Sequence, residues 1–143
     1  MGEVKLTKEG IRYIALFENL TGATVRDCIV DDANNRIIFV VKNGDMGLAI
    51  GRRGDHINRV KKSIGKHIEI VEYSDNIYEF IKNAIQPASI KNINIVKKNN
   101  KLLAYVEVLA KDKGIAIGKS GKNITKAKNL VQRHYDIDDL IVH

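Results

Sequence analysis

Gly47-Leu48-Ala49-Ile50-Gly51-Arg52-Arg53-Gly54-Asp55-His56-Ile57 returns 67 residues later as Gly114-Ile115-Ala116-Ile117-Gly118-Lys119-Ser120-Gly121-Lys122-Asn123-Ile124, in a chain of 143 residues. Six of the eleven positions are identical, and Leu48/Ile115 is conservative. A self-match at a fixed offset means one structural unit made twice. The chain must therefore hold two copies of something that fits about 70 residues. A unit of that size has a marginal core on its own, so two copies packed together are the safer expectation.

The sequence around each copy gives the unit. Thr7 can cap a helix and Leu6 can staple onto Ile11, with Tyr13, Leu16, Phe17 and Leu20 as its apolar stripe and Gly22 as its end. Val25 to Val30 reads as a strand, residues 31–35 as an Asp/Asn turn, and Arg36 to Lys42 as a buried strand. A short helix at 45–50, the Gly51–Gly54 loop and a helix over 55–64 follow. Gly65 stops that helix, and Ile68 and Ile70 begin a last strand reaching toward Tyr73. The second copy repeats the order. Asp75 is the expected cap of a helix to Ile85, with Pro87 as punctuation. Ile90–Val96 is a strand, 97–100 a turn and Leu102–Leu109 a strand. Lys111–Ile117 is a short helix, Gly118–Gly121 the loop, about 122–134 a helix and Ile137–Val142 a strand. Each unit is α-β-β-α-α-β, an α+β domain, with the first expected over residues 1–73 and the second over 74–143. Only Tyr73 and Ser74 join the two, too short a joint for a flexible tether. A fixed relation between the two loops is therefore expected.

Charge follows the repeat. Residues 51–66 and 111–128 together hold twelve basic and two acidic groups, a net +10. The other 109 residues hold 12 basic and 15 acidic groups, a net −3. Two matching basic segments on a weakly acidic background point to a polyanionic partner.

The loops suit such a partner. Two glycines let the main chain approach a ligand closely, and each loop runs into a helix start that favours a phosphate. Arg52, Arg53, Lys119 and Ser120 lie between the glycines. Arg59, Lys122 and Lys126 follow along the helices. Ile50, Ile57, Ile117 and Ile124 read first as core residues, with exposed edges that could floor a base-accepting groove. Asp55 is expected to cap its helix, or else to lower phosphate affinity; His56 is a weaker candidate for stacking on a base.

Gly-[Leu/Ile]-Ala-Ile-Gly-x-x-Gly-x-x-Ile, inside α-β-β-α-α-β and present twice, resembles the KH family, whose loop clamps about four nucleotides of single-stranded RNA or DNA. The element order is similar to the prokaryotic, type II arrangement. The linker-free tandem resembles the paired KH region of the NusA family of transcription elongation and termination factors in its short archaeal form. The resemblance implies a three-stranded sheet per domain with helices on one face. It implies RNA contact by Gly51, Arg52, Arg53, Gly54, Gly118, Lys119, Ser120 and Gly121. Single-stranded RNA, met as nascent transcript, is the implied partner, with RNA polymerase or the transcription complex as a further candidate. Bacterial members carry a polymerase-binding domain and an S1 domain, for which 143 residues leave no room. A KH protein binding ribosomal RNA in ribosome assembly or translation is the alternative, and a basic module for acidic protein surfaces is a third class.

Other chemistries fit poorly. Gly114 to Ser120 has three residues between its glycines where a nucleotide-binding P-loop needs four. His56, His67, His134 and His143 lack metal-ligand spacing, and no nucleophile–base set suggests itself. No enzyme activity, cofactor or metal is expected. A single cysteine, Cys28, excludes an intrachain disulfide and reads as a buried strand residue. No apolar run spans a bilayer and no signal core precedes the first helix, so a cytoplasmic monomer without membrane contact is expected. With aromatic residues at 6%, affinity should come from the backbone clamp, not from aromatic platforms.

Overall fold

Thr7 starts the first helix, as its position predicts. Its side chain accepts the Gly10 N–H at 2.9 Å, and α1 then runs Lys8–Thr21. Gly22 ends it in the left-handed region, at φ 79°. The computed structural model describes residues 6–143. The chain divides into two units, one ending at Ser74 and one beginning at Asp75, one residue beyond the boundary read from sequence.

In the first unit β1 (Val25–Asp31), β2 (Arg36–Val41), α2 (Met46–Ile50), α3 (Asp55–Ile64) and β3 (His67–Glu72) follow α1. β2 is the middle strand, antiparallel to β1 and parallel to β3. Alternation along β2 sends Ile37, Phe39 and Val41 into one cluster with Phe17 of α1, Ala49 of α2 and Val60 of α3. All three helices therefore cover the same face of the sheet. Cys28 is buried in this cluster and forms no disulfide. Leu6 and Ile11, the expected staple, are both exposed.

The second unit holds α4 (Ile77–Ile85), β4 (Ile90–Lys98), β5 (Lys101–Val108), α5 (Lys113–Ile117), α6 (Lys122–Tyr135) and β6 (Asp139–Val142). β5 is its middle strand, with the same pairing senses. The cap of α4 is Asn76, not Asp75: its side chain accepts from Tyr78 N and Glu79 N. An Asx residue one place later has the better reach to the N2 and N3 amides. The hairpin turn is only Asn99-Asn100, at φ 52° and 65°. Asparagine tolerates this left-handed geometry in a two-residue hairpin turn, so Lys97 and Lys98 stay in the strand. The last strand begins at Asp139, because Asp136 closes α6 at φ 54° and the chain needs residues 137–138 to turn.

Candidate nucleic-acid interface

Both loops fold to one shape. Gly51 (φ 76°, ψ 172°) and Gly118 (φ 80°, ψ 167°) occupy a region essentially closed to residues with a Cβ. Arg53 (φ 56°, ψ 27°) and Ser120 (φ 57°, ψ 29°) are left-handed without being glycine. That conformation costs about 1–2 kcal/mol in each loop. Gly54 and Gly121 follow at φ 76° and 74°. The kink drives α2 into α3, and α5 into α6, within four residues.

The first glycine of each loop has a reason the sequence did not reveal. A Cβ on Gly51 would lie 2.6–2.9 Å from the ring and backbone of His56, and one on Gly118 would lie 2.7 Å from Asn123 N. These glycines let the loop close on its own helix. The second glycines, by contrast, would place a Cβ no nearer than 3.7 Å to any neighbour. His56 and Asn123 hold equivalent places in the repeat and brace the loop. The Nδ1–H of His56 donates to Leu48 O at 2.6 Å. Asn123 Nδ2 donates to Ile85 O and Ala116 O, each at 3.1 Å. Both satisfy carbonyls at the end of the short helix. His56 is thus tied into the scaffold, which replaces its reading as a stacking group. A polar residue two places after each loop glycine pair, at the repeat offset, was the available signal.

The helix starts are less open than the loops suggest. Gly54 N donates to Gly51 O and Gly121 N to Gly118 O, at 3.2 and 3.1 Å. The next amides, of Asp55 and Lys122, donate to Arg52 O and Lys119 O. Phosphate attraction here must lean on the helix dipole and on side-chain charge. Arg52, Arg53, Lys119 and Ser120 are all exposed. Arg52, Arg53, Asp55 and Asn58 line an open cleft of about 550 Å³ in the first unit.

Three other expectations change. Asp55 makes no cap bond; Gly54 is the cap residue, and Asp55 pairs with exposed Arg59 at 3.1 Å, one turn on. Lys126, at the position equivalent to Arg59, is only 6% exposed and is engaged within the protein, so it is not part of the exposed face. Ile50 and Ile117 are 39% and 44% exposed, not core, and Leu48 and Ile115 are exposed beside them. Ile57 and Ile124 are half-buried. The short helix is too small to turn both of its apolar positions inward: Ala49 and Ala116 take the core contact. Each unit thus sets an apolar strip against its basic loop. Among the described residues no cluster of His, Cys, Asp or Glu could hold a metal. No helix among them is long and apolar enough to cross a membrane.

The α-β-β-α-α-β units and their paired loops define a tandem KH-domain protein. Residues 11–75 match the KH domain family and residues 77–141 match the NusA-like second KH domain. The chain is 41% identical over 137 residues to the "Probable transcription termination protein NusA" of Halobacterium salinarum, covering 96% of each chain. It is 32% identical over 142 residues to the protein of the same description from Methanocaldococcus jannaschii, covering 99% of this chain and 76% of that one. A solved structure described as the crystal structure of APE1850 is 38% identical and superposes with a TM-score of 0.85, over 96% of this chain and all of that one. The chain belongs to the archaeal NusA family of tandem KH-domain proteins.

Proposed function

We propose that this chain is a non-enzymatic, single-stranded RNA-binding protein, acting on nascent transcripts as a termination or antitermination (elongation) factor through its two Gly-x-x-Gly loops. One observation carries the reading. The same strained loop is built twice, to within about 5° at every φ and ψ given above, with exposed cations between its glycines. Strain held at the same place in both copies, on the most basic segments of the chain, argues for use. Gly51, Arg52, Arg53 and Gly54, and Gly118, Lys119, Ser120 and Gly121, are the proposed backbone clamps. Arg59 and Lys122 flank them. Leu48, Ile50, Ile115 and Ile117 provide the apolar ground beside the phosphate path, with the edges of Ile57 and Ile124. Relatives named for transcription termination favour this setting over ribosome assembly. RNA polymerase or another part of the transcription complex is the expected further partner of a cytoplasmic monomer.

The test is binding of single-stranded RNA by the full chain. Arg52→Asp with Arg53→Asp, and separately Lys119→Asp with Ser120→Asp, should each weaken binding with native circular dichroism retained. If the two loops hold about four phosphates between them, they contribute roughly −3 to the slope of log affinity against log salt. Unchanged affinity in both double variants would sink the reading.

A further inference from the structure

The two hairpins of the repeat are not the same length. Aligned on their middle strands, the Asp31↔Arg36 pair of the first unit corresponds to Val96↔Leu103 of the second. The first hairpin turns directly after that pair. The second continues through Lys97↔Leu102 and Lys98↔Lys101 before turning at Asn99-Asn100. The ladder gains two pairs, and with its shorter turn the second hairpin is longer by two residues, roughly 3 Å of reach. The extension brings three lysines, all exposed. Among the described residues none of the three has an acidic partner at ion-pair distance.

This placement works against the isolated fold. Lys98 and Lys101 stand directly opposite each other, and like charges so paired are destabilising. The first hairpin neutralises its charges in place: Arg36 pairs with Asp31 at 2.7 Å, and Lys66 with Asp32 at 3.5 Å. The second leaves its charge open. The tip residues Asn99 and Asn100 are polar and exposed, so the tip offers no apolar anchor of the kind a protein partner would bury. Point charges on flexible stems, without an anchor, suit a phosphodiester backbone.

We infer that the β4–β5 hairpin tip is a second RNA contact, in which Lys97, Lys98 and Lys101 hold phosphates of the strand outside the Gly-x-x-Gly clamp. The inference rests on the RNA-binding reading above. The eight-residue strand β5 separates the tip from the segment that leads to α5 and its loop, a span of roughly 25 Å. An oligonucleotide of about four residues fills one clamp and leaves nothing for the tip.

The experiment compares single-stranded RNA of about four and about fifteen nucleotides on the full chain, by fluorescence anisotropy across a salt series. The variants are Lys98→Glu alone and Lys97→Glu with Lys98→Glu and Lys101→Glu. The triple variant should bind the long RNA roughly tenfold or more weakly, with a salt slope reduced by about 2, and bind the short RNA as the wild type does. Lys98→Glu should weaken long-RNA binding while leaving the melting temperature unchanged or raised, because it turns a like pair into an opposite one. Unfolding cannot imitate that combination. Equal long-RNA affinity and slope in wild type and triple variant would overturn the inference. So would an equal loss on short RNA, or a loss of binding to polyglutamic acid in place of RNA. If the wild type binds neither RNA length, the RNA-binding reading itself has failed.

Discussion

At the same three sheet positions the first unit places Asp31, Arg36 and Glu69, and the second places Val96, Leu103 and Ile141. Arg36 is 2% exposed and is held by Asp31 at 2.7 Å and Glu69 at 3.0 Å. One copy of the fold thus uses an ion cluster where the other places aliphatic side chains. The sheet accepts both because what it requires there is a filled, satisfied surface. Charge in such a place is satisfied only as a set, so the first unit carries a sensitivity the second lacks. The loops differ in the same spirit: one geometry is braced by His56 in the first unit and by Asn123 in the second.

The comparison can be broken most forcefully at the ion cluster and the loop glycines. Arg36→Leu alone should destabilise the first unit by about 3 kcal/mol, because it takes the shared cation from two partly buried carboxylates; Leu103→Met at the equivalent site should cost less than about 1.5 kcal/mol. Denaturant unfolding with residue-resolved hydrogen exchange reads both. Equal costs would show that the two sheets are built on the same terms after all. Gly51→Ala and Gly118→Ala should each cost about 2–4 kcal/mol, combining a closed backbone region with a steric clash. Gly54→Ala and Gly121→Ala should cost about 1–2 kcal/mol, since only the left-handed φ opposes them.

Acid sharpens the contrast. Burial pushes the Asp31 carboxyl up, but hydrogen bonds from Asn34 and Arg36 and the Arg36 charge outweigh it, so its pKa lies below the ordinary 3.8. A carboxylate with a depressed folded pKa adds stability above its unfolded pKa and loses it as pH falls through the folded value. The first unit should therefore lose stability below about pH 4, a loss that Asp31→Asn removes, while the second has Val96 at this position. Amide spectra recorded through an acid titration would follow each unit separately.

Smaller effects are expected at the braces and the surface pair. Asn123→Ala removes donors to two carbonyls at 3.1 Å and should cost about 1–3 kcal/mol; His56→Ala removes one and should cost about 1 kcal/mol. His56→Asn should keep the first loop intact, as the second loop already uses that residue. Asp55→Asn frees exposed Arg59 from its partner and should tighten RNA binding by about twofold, in line with the small energy of a surface pair.

Much of this was legible in the residues. The caps at Thr7 and Gly22, the left-handed stop at Gly65, the unbroken burial of β2 and the extents of α3 and α6 all follow from local chemistry. The loops were found because a repeat at 67 residues doubles an otherwise weak signal. Misreadings fell where two similar residues compete for one role, as Asp75 and Asn76 do for the α4 cap, or where a turn could be two residues or four, as at 97–100.

By itself the sequence determined that two α-β-β-α-α-β units exist, that each carries a Gly-x-x-Gly loop, and that half of the basic residues and the whole net positive charge travel with those loops. Periodicity, caps and charge are local properties, and a linear reading reaches them. Only the tertiary structure decided that Arg59 is exposed while its counterpart Lys126 is buried, that Ile50 and Ile117 face outward, and that Gly51 and Gly118 serve loop closure. Each of these depends on which distant atoms arrive beside a residue, and equivalent positions in a repeat share their pattern but not their neighbours.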